Sequence, residues 1–199
     1  MISILILAAG GSTRMRGRDK LLEEVDGAPC LTTMTRRALD TGCDVVVVVP
    51  DLAHPRAKAA TGAQLIPSPD ASLGMAHSIR AGIDALPDAI TGVMILPGDM
   101  PDITTADMAG LAAAFETSDA AILQAATADG LPGHPVLFSA HLLPQFAALN
   151  GDQGARAIIE ANRDKLQFFT LPGQRARLDL DTPEHWSAWR VNQAQPPES

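Results

Sequence analysis

Ile4-Leu5-Ile6-Leu7 is an unbroken run of large aliphatic residues that ends at Ala8-Ala9-Gly10-Gly11. A strand with one wet face alternates apolar and polar side chains. An unbroken run therefore belongs to a strand buried on both faces, as in a parallel sheet covered by helices. The valines Val45 to Val49, preceded by Asp44 and ended by Pro50, repeat the pattern, as does Gly92 to Leu96, ended by Pro97. The segments between these strands carry helix signals. Pro29 to Thr41 has proline in its first turn and Gly42 as its stop. A helix over Pro55 to Thr61 leads to a short strand at Ala63 to Ile66 and a turn at Pro67 to Asp70. Ser72 to Leu86 places Met75, Ile79, Ile83 and Leu86 at helical spacing.

The second half is expected to hold a helix over Thr104 to Phe115, a strand over Ala120 to Ala125 and, after a turn at Gly130 to Gly133, a strand over Pro135 to Phe138. Helices Ala140 to Leu149 and Asp152 to Asn162 follow, then a strand over Leu166 to Leu171, a short strand near Leu178 and a last helix from Pro183. Alternation of β and α with short loops predicts an α/β fold with three layers, α/β/α, and a mostly parallel mixed sheet. A chain of 199 residues suits one core, read here as a single domain over 1–191. There is no tyrosine, so Ala, Val, Ile and Leu must fill that core. Asn192 to Ser199, polar and with two prolines, is expected to be a disordered tail.

A net charge of −8 argues against a nucleic-acid partner, which needs a basic face. No apolar stretch approaches the ~20 residues of a membrane span, and the N-terminus has no basic region, too short an apolar run and a glycine-arginine loop in place of the cleavage site of a signal peptide. Cys30 and Cys43 have neither metal-ligand nor disulfide-framework spacing, so the expectation is two reduced thiols in a cytoplasmic protein.

Against that acidic background four cations, Arg14, Arg16, Arg18 and Lys20, alternate directly after the glycine pair. Glycines after a buried strand let the backbone turn tightly and approach a ligand, with free N–H groups for phosphate oxygens. Arginine and lysine just beyond would neutralise a triphosphate. Gly17 is followed by Arg18 rather than Lys-Ser/Thr, so this is not a P-loop, and no G-x-G-x-x-G occurs. Asp99, in Leu96-Pro97-Gly98-Asp99-Met100-Pro101, stands just past a buried strand, where a carboxylate beside a triphosphate makes a natural Mg²⁺ ligand. Asp179-Leu180-Asp181-Thr182-Pro183-Glu184 is the best supplier of a second carboxylate. Asp181 is chosen over Asp179, while capping of the last helix by Asp181 or Thr182 stays open. Gly133-His134-Pro135 and Gly151-Asp152-Gln153-Gly154-Ala155-Arg156 are the remaining unusual clusters.

Leu7, Ala8, Ala9, Gly10, Ser12, Arg14, Met15, Lys20, Leu21 and Leu22 resemble the opening signature of the molybdopterin-nucleotide and sugar-nucleotide nucleotidyltransferases. Gly98-Asp99-Met100-Pro101 resembles their metal-binding strand end, and Asp179 to Glu184 their Asp/Asn-x-Asp/Asn-Thr-Pro-Glu-Asp ending, with His185 at its last position. Gly74-Met75-Ala76-His77-Ser78-Ile79-Arg80-Ala81-Gly82, Gly133-His134-Pro135 and Gly151 to Arg156 are similar to the branch that transfers cytidylyl groups to the molybdenum cofactor.

The resemblance implies a Rossmann-like nucleotidyltransferase fold and transfer of CMP from CTP to the terminal phosphate of molybdopterin, with release of pyrophosphate. It implies nucleotide contacts from Leu7, Ala8, Ala9, Gly10, Gly11, Ser12, Arg14, Lys20, Pro69, Gly74, Met75 and Ser78. Arg14, Lys20 and Asp99 would be catalytic, and Asp99 and Asp181 would hold Mg²⁺. Gly133, His134, Pro135, Asp152, Gly154, Ala155 and Arg156 would bind the acceptor. Leu-Ala-Ala-Gly accompanies cytosine transfer in that group, and Leu-Ala-Gly-Gly guanine transfer. A recipient molybdoenzyme or its chaperone is the implied macromolecular partner. GMP transfer, a sugar-nucleotide pyrophosphorylase and a non-catalytic cofactor carrier are the alternatives. The carrier should have lost Lys20 or Asp99, and both are present.

Overall fold

The computed structural model describes residues 1–152 and 154–193. β1 (Ile2–Leu7) leads through 3-10 turns at Thr13–Met15 and Lys20–Leu22 to a small hairpin of β2 (Glu24–Val25) and β3 (Ala28–Pro29). Next come α1 (Cys30–Leu39), β4 (Asp44–Val49), α2 (Pro55–Ala59), β5 (Gln64–Pro67), α3 (Met75–Asp84), β6 (Gly92–Pro97) and α4 (Thr105–Glu116). The second half holds β7 (Ile122–Ala126), β8 (Pro132–Ser139), α5 (Leu143–Phe146), α6 (Arg156–Ala161), β9 (Leu166–Thr170) and α7 (Pro183–Gln193).

Seven strands form one sheet in the order β5-β4-β1-β6-β8-β7-β9. Only β8 runs against its neighbours, so the sheet is mixed and mostly parallel. The aliphatic runs divide by parity between its two faces. Ile4, Ile6, Val45, Val47, Met94 and Leu96 pack with Leu31 and Met34 of α1, Met108 and Leu111 of α4, and Trp186 of α7. Leu5, Val46, Val48, Val93 and Ile95 pack with Ile79 of α3, Phe146 of α5 and Ile158 of α6. Both faces are dry, which is why those runs do not alternate in polarity. The result is the expected three-layer α/β/α domain.

The sheet also decides where a ligand can sit. From β1 the chain steps outward to β4 and β5, then returns to lay β6 on the other side of β1. Strand order reverses at β1, and crevices form at the carboxyl ends beside such a reversal. Leu7 is level with Val48 and Pro97, its carbonyl accepts the Gly98 N–H at 3.0 Å, and Ala8 N–H donates to Val48 at 2.9 Å. The loops after β1, β4 and β6 therefore leave the sheet side by side.

Local differences from the sequence reading have local causes. The helix expected from Ser72 is a 3-10 turn, Pro69–Leu73, then Gly74 at φ +124°, and only from Met75 an α-helix. Met75 consequently is half exposed rather than on the buried face, which is Ala76, Ser78, Ile79 and Gly82. The helix expected over Ala140 to Leu149 is a 3-10 turn followed by the four-residue α5, with Pro144 in its first turn. α6 starts at Arg156, leaving Asp152, Gly154 and Ala155 outside it. In place of a strand near Leu178 there is a 3-10 turn, Arg175–Arg177. α7 runs through Asn192 and Gln193, two residues of the expected tail; 194–199 lie outside the described residues. Among the described residues no helix is long and apolar enough to cross a membrane.

Candidate active site

The glycine loop after β1 forms one wall of a cleft of about 940 Å³. Leu7, Ala8, Ala9, Gly10, Gly11, Ser12, Lys20, Pro69, Met75 and Ser78 line it, as does Asp99. Gly74 does not. A Cβ there would lie 2.4 Å from the carbonyl carbon of Gly151, so Gly74 lets the loop before α3 close on the Gly151 turn. Ala76 N–H then donates to the Gly151 carbonyl at 3.0 Å, and Met75 N–H to the Asp152 carboxylate at 3.4 Å.

One residue that holds the glycine loop escaped the sequence reading. Arg56 of α2 is 3% exposed. Its Nη1 donates to the carbonyls of Ala8 at 2.6 Å and Gly10 at 2.7 Å. Its Nε and Nη2 grip both oxygens of Asp19, at 2.7 and 2.8 Å, and Nη2 reaches the Ser12 hydroxyl at 3.0 Å. Ser12 in turn donates to Asp19 and accepts from Lys20 N–H. Burial by itself would raise the Asp19 carboxyl. The Arg56 bond and charge, with the Leu21 N–H and the Ser12 hydroxyl, outweigh it and hold the group below its ordinary value. An arginine among small apolar residues just past a buried strand, Pro55-Arg56-Ala57, was the available signal.

Across the cleft, carboxylate oxygens of Asp99, Asp179 and Asp181 lie within 4.8 Å of one another. Local ties bring them there. Leu180 is buried; its N–H donates to the Asp99 carbonyl at 3.2 Å and its carbonyl accepts from the Trp186 indole at 3.0 Å. Pinning Leu180 turns the aspartates on either side toward Asp99. Thr182 accepts the His185 N–H at 3.2 Å, so Thr182 caps α7 and Asp181 is left to the cluster.

Lys20 Nζ donates to Asp99 and, at 2.6 Å, to Asp181, while Arg14 pairs with Asp181 at 2.5 Å. Desolvation would lower the Lys20 ammonium, but Asp99 and Asp181 together overcome it and raise it. Burial likewise would raise Asp181; Lys20 first, then the bond with Asp179 and the Arg14 charge, bring it down. Asp179 has neither cation in contact; burial first, then Asp181 and Asp99, push it up. Arg16 pairs with Glu184 and Arg18 with Glu23, and of these two only Arg18 lines the cleft. Cys30 lies beneath, its thiol donating to the Gly98 carbonyl at 3.4 Å; burial raises it, so it serves as packing.

One further cavity adjoins the cluster, and another meets that cavity at His134 and Arg177. The first, of about 490 Å³, is lined by Arg14, Lys20, Asp99, Asp181, Gly133 and His134. The other, of about 910 Å³, is lined by His134, Asp152, Gly154, Ala155 and Arg156, with Arg163, Arg177 and Phe168. The structure thus places Gly133, His134, Gly154, Ala155 and Arg156 along these two spaces; Asp152 lines the second of them and the glycine-loop cleft as well, and Pro135 lines none. Gly133 has a steric reason: a Cβ there would meet the Ala176 carbonyl oxygen at 1.9 Å. The His134 Nδ1 is buried without a partner among the described residues, and burial pushes the imidazole down, keeping it neutral.

Residues 4–166 match the family model of the MobA-like NTP transferase domain. The bifunctional protein GlmU of Anaeromyxobacter sp. (strain Fw109-5) is 36% identical over 107 residues, 50% of this chain and 22% of that protein. The chain spans about a quarter of the length of the curated relatives it matches. Rv0371c from Mycobacterium tuberculosis H37Rv superposes with a TM-score of 0.82 at 26% identity, covering 94% of this chain and 95% of that one. Its complex with manganese gives 0.78 at 23%, over 98% and 99%. CMP:2-keto-3-deoxy-manno-octonic acid synthetase complexed with CTP gives 0.74 at 16%, over 98% of each chain. At those lower identities the likeness is one of fold.

Proposed function

The chain belongs to the family of MobA-like NTP transferase domains, and on that premise we propose that it transfers CMP from CTP to the terminal phosphate of a molybdopterin-type cofactor, releasing pyrophosphate. One observation carries the reading: Lys20, at the end of the glycine loop, bonds the carboxylates of both Asp99 and Asp181. A triphosphate lying along the loop would reach the point where Lys20 meets the Asp99 and Asp181 carboxylates.

The carboxylate trio offers hard oxygen donors at a spacing that suits Mg²⁺ or Mn²⁺. Asp99 and Asp181 would hold the ion, with Asp179 beside them. Such an ion, when bound, supplies charge neutralisation to the triphosphate. Lys20 and Arg14 stabilise charge on the α-phosphate and on the departing pyrophosphate. A phosphate monoester is already largely dianionic near neutral pH, so the acceptor oxygen can attack the α-phosphorus without a strong general base. That agrees with a neutral His134 facing the acceptor side. Arg156, Arg163 and Arg177 suit an anionic acceptor, and Ile79, Phe138, Ile159 and Phe168 offer surface against the faces of its flat, polar-edged ring system.

For the base, Ala9 lines the cleft while packing into the core with Leu5, Val48 and Ala76. On this reading Ala9 would narrow the floor on which the base lies, at the expense of a purine. The reaction would run in the cytoplasm, where Cys30 and Cys43 stay free, and the product would pass to a recipient molybdoenzyme or its chaperone.

The test is pyrophosphate release with each of the four NTPs and Mg²⁺, with no acceptor, with molybdenum cofactor and with sugar 1-phosphates, beside a direct measurement of cofactor binding. Release with CTP that depends on the cofactor is expected. Preference for GTP replaces CMP transfer by GMP transfer, and release only with sugar phosphates moves the chain to the pyrophosphorylases. Tight cofactor binding without any release makes it a carrier.

A further inference from the structure

The Ala8 and Gly10 carbonyls are alternate groups of one short loop, yet both end on the same nitrogen, Arg56 Nη1. A trans peptide is planar, with its C=O and N–H pointing opposite ways. Fixing these two carbonyls therefore aims the N–H groups of Ala9 and Gly11 away from the guanidinium. Among the described residues neither N–H has a protein acceptor. Gly10 and Gly11 are exposed and line the cleft, with Ala9 beside them. Left alone, a glycine pair would sample many orientations. We propose that Arg56 is a positioning residue for nucleotide binding: from beneath the loop it presets the Ala9 and Gly11 N–H groups as donors to the phosphates of the nucleotide. The inference rests on the nucleotide reading above.

The rest of the Arg56 environment fits this role. Asp19 takes the other edge of the guanidinium bidentately and sets the plane in which Nη1 can reach two carbonyls. Ser12 links that pair to Lys20 N–H, so the donor loop and the lysine share one anchor. The plane and the five donors are needed together. Lysine keeps a positive charge but cannot span two carbonyls, a hydroxyl and both carboxylate oxygens.

The experiment uses inorganic tripolyphosphate and CTP, each with Mg²⁺, on the full chain. Binding is measured by calorimetry for the wild type, Arg56→Lys and Asp19→Asn. Backbone amide shifts of Ala9 and Gly11 are followed by ¹⁵N NMR in the wild type. The expected result is a downfield shift of both amides on saturation with tripolyphosphate. Arg56→Lys should bind either probe about tenfold more weakly or worse, as for the loss of a charge-assisted hydrogen bond. Asp19→Asn, whose remaining Oδ1 can still hold one edge of the guanidinium, should lose less than Arg56→Lys, whatever its melting temperature. A purely structural role would make both variants weaken in step with their stability. Wild-type binding that leaves both amides unmoved, or Arg56→Lys binding as tightly as wild type, overturns the role of Arg56 alone. Wild-type failure to bind either probe overturns the nucleotide reading and this inference with it. Where Arg56→Lys does not fold, the wild-type amide shifts decide.

Discussion

Lys20 Nζ donates to Asp181 at 2.6 Å and at the same time to Asp99, joining the glycine loop to the end of β6 and to the segment before α7. Both carboxylates are nearly enclosed, with side chains 8% and 13% exposed, so solvent screens these contacts less than it would at an open surface. The ammonium stays charged where charge develops in phosphoryl chemistry. The following outcomes are expected from that arrangement and from the groups around it.

Lys20→Ala should lower kcat by about 10²–10³ while changing CTP binding less, because a preset charge matters most in the transition state. Steady-state pyrophosphate release gives both constants. An effect confined to KM would show that Lys20 serves only the ground state.

Asp99→Asn and Asp99→Ala should both abolish most turnover and leave the circular dichroism spectrum unchanged. The link from Asp99 to Leu180 runs through its backbone carbonyl and survives either change. Normal release by the Ala variant at ordinary Mg²⁺ would remove Asp99 from the site.

Gly133→Ala puts a Cβ 1.9 Å from the Ala176 carbonyl oxygen, a backbone atom that can yield only if the 175–177 turn moves. A cost of about 1–3 kcal/mol is expected, as for overpacking. Arg177 moves with that turn, so KM for the acceptor should rise more than KM for CTP. Urea unfolding and the two KM values check this, and equal increases would disconnect the turn from the acceptor cavity.

Ala9→Gly should narrow the preference for CTP over GTP in kcat/KM. Discrimination by one small group in a pocket is worth about 1–3 kcal/mol, so the gap shrinks without inverting. An unchanged ratio would mean that base choice is made elsewhere.

Asp19 links pH to stability. Its folded pKa lies below the unfolded value of about 4, so the folded state binds fewer protons and gains stability once the pH exceeds that value. The gain is lost as pH falls through the lower folded value. Wild type should therefore exceed Asp19→Asn in denaturation midpoint at pH 6–7, and the difference should shrink below about pH 4. A difference that grows in acid would contradict the Arg56–Asp19 pairing.

The aliphatic runs and the proline and glycine stops were enough to place β1, β4, β6, α1 and α4 to within a few residues. They report burial and backbone preference, which are local properties. Breaks set by context were less legible. Gly74 divides the segment before α3 because Gly151 packs against it, and nothing near Gly74 in the chain announces Gly151. The 3-10 turn at Arg175–Arg177 replaced an expected strand because Ala176 is buried against Gly133, so that stretch pairs with no strand.

By itself the sequence determined a sheet buried on both faces, a glycine loop at the end of its first strand, and an aspartate at the end of β6. These follow from side-chain period and from the limits on φ that glycine and proline impose. Only the tertiary structure decided which charges meet. Arg56 reads as an ordinary helical arginine until α2 packs beneath the loop and leaves its guanidinium no solvent, so that it must take Asp19, Ser12 and two carbonyls as partners. Asp179 and Asp181 join Asp99 because Leu180 is anchored to the Asp99 carbonyl, just past β6, and to Trp186. A buried charge or an unpaired peptide group needs a partner, and which partner is at hand depends on strand order and helix packing rather than on neighbours along the chain.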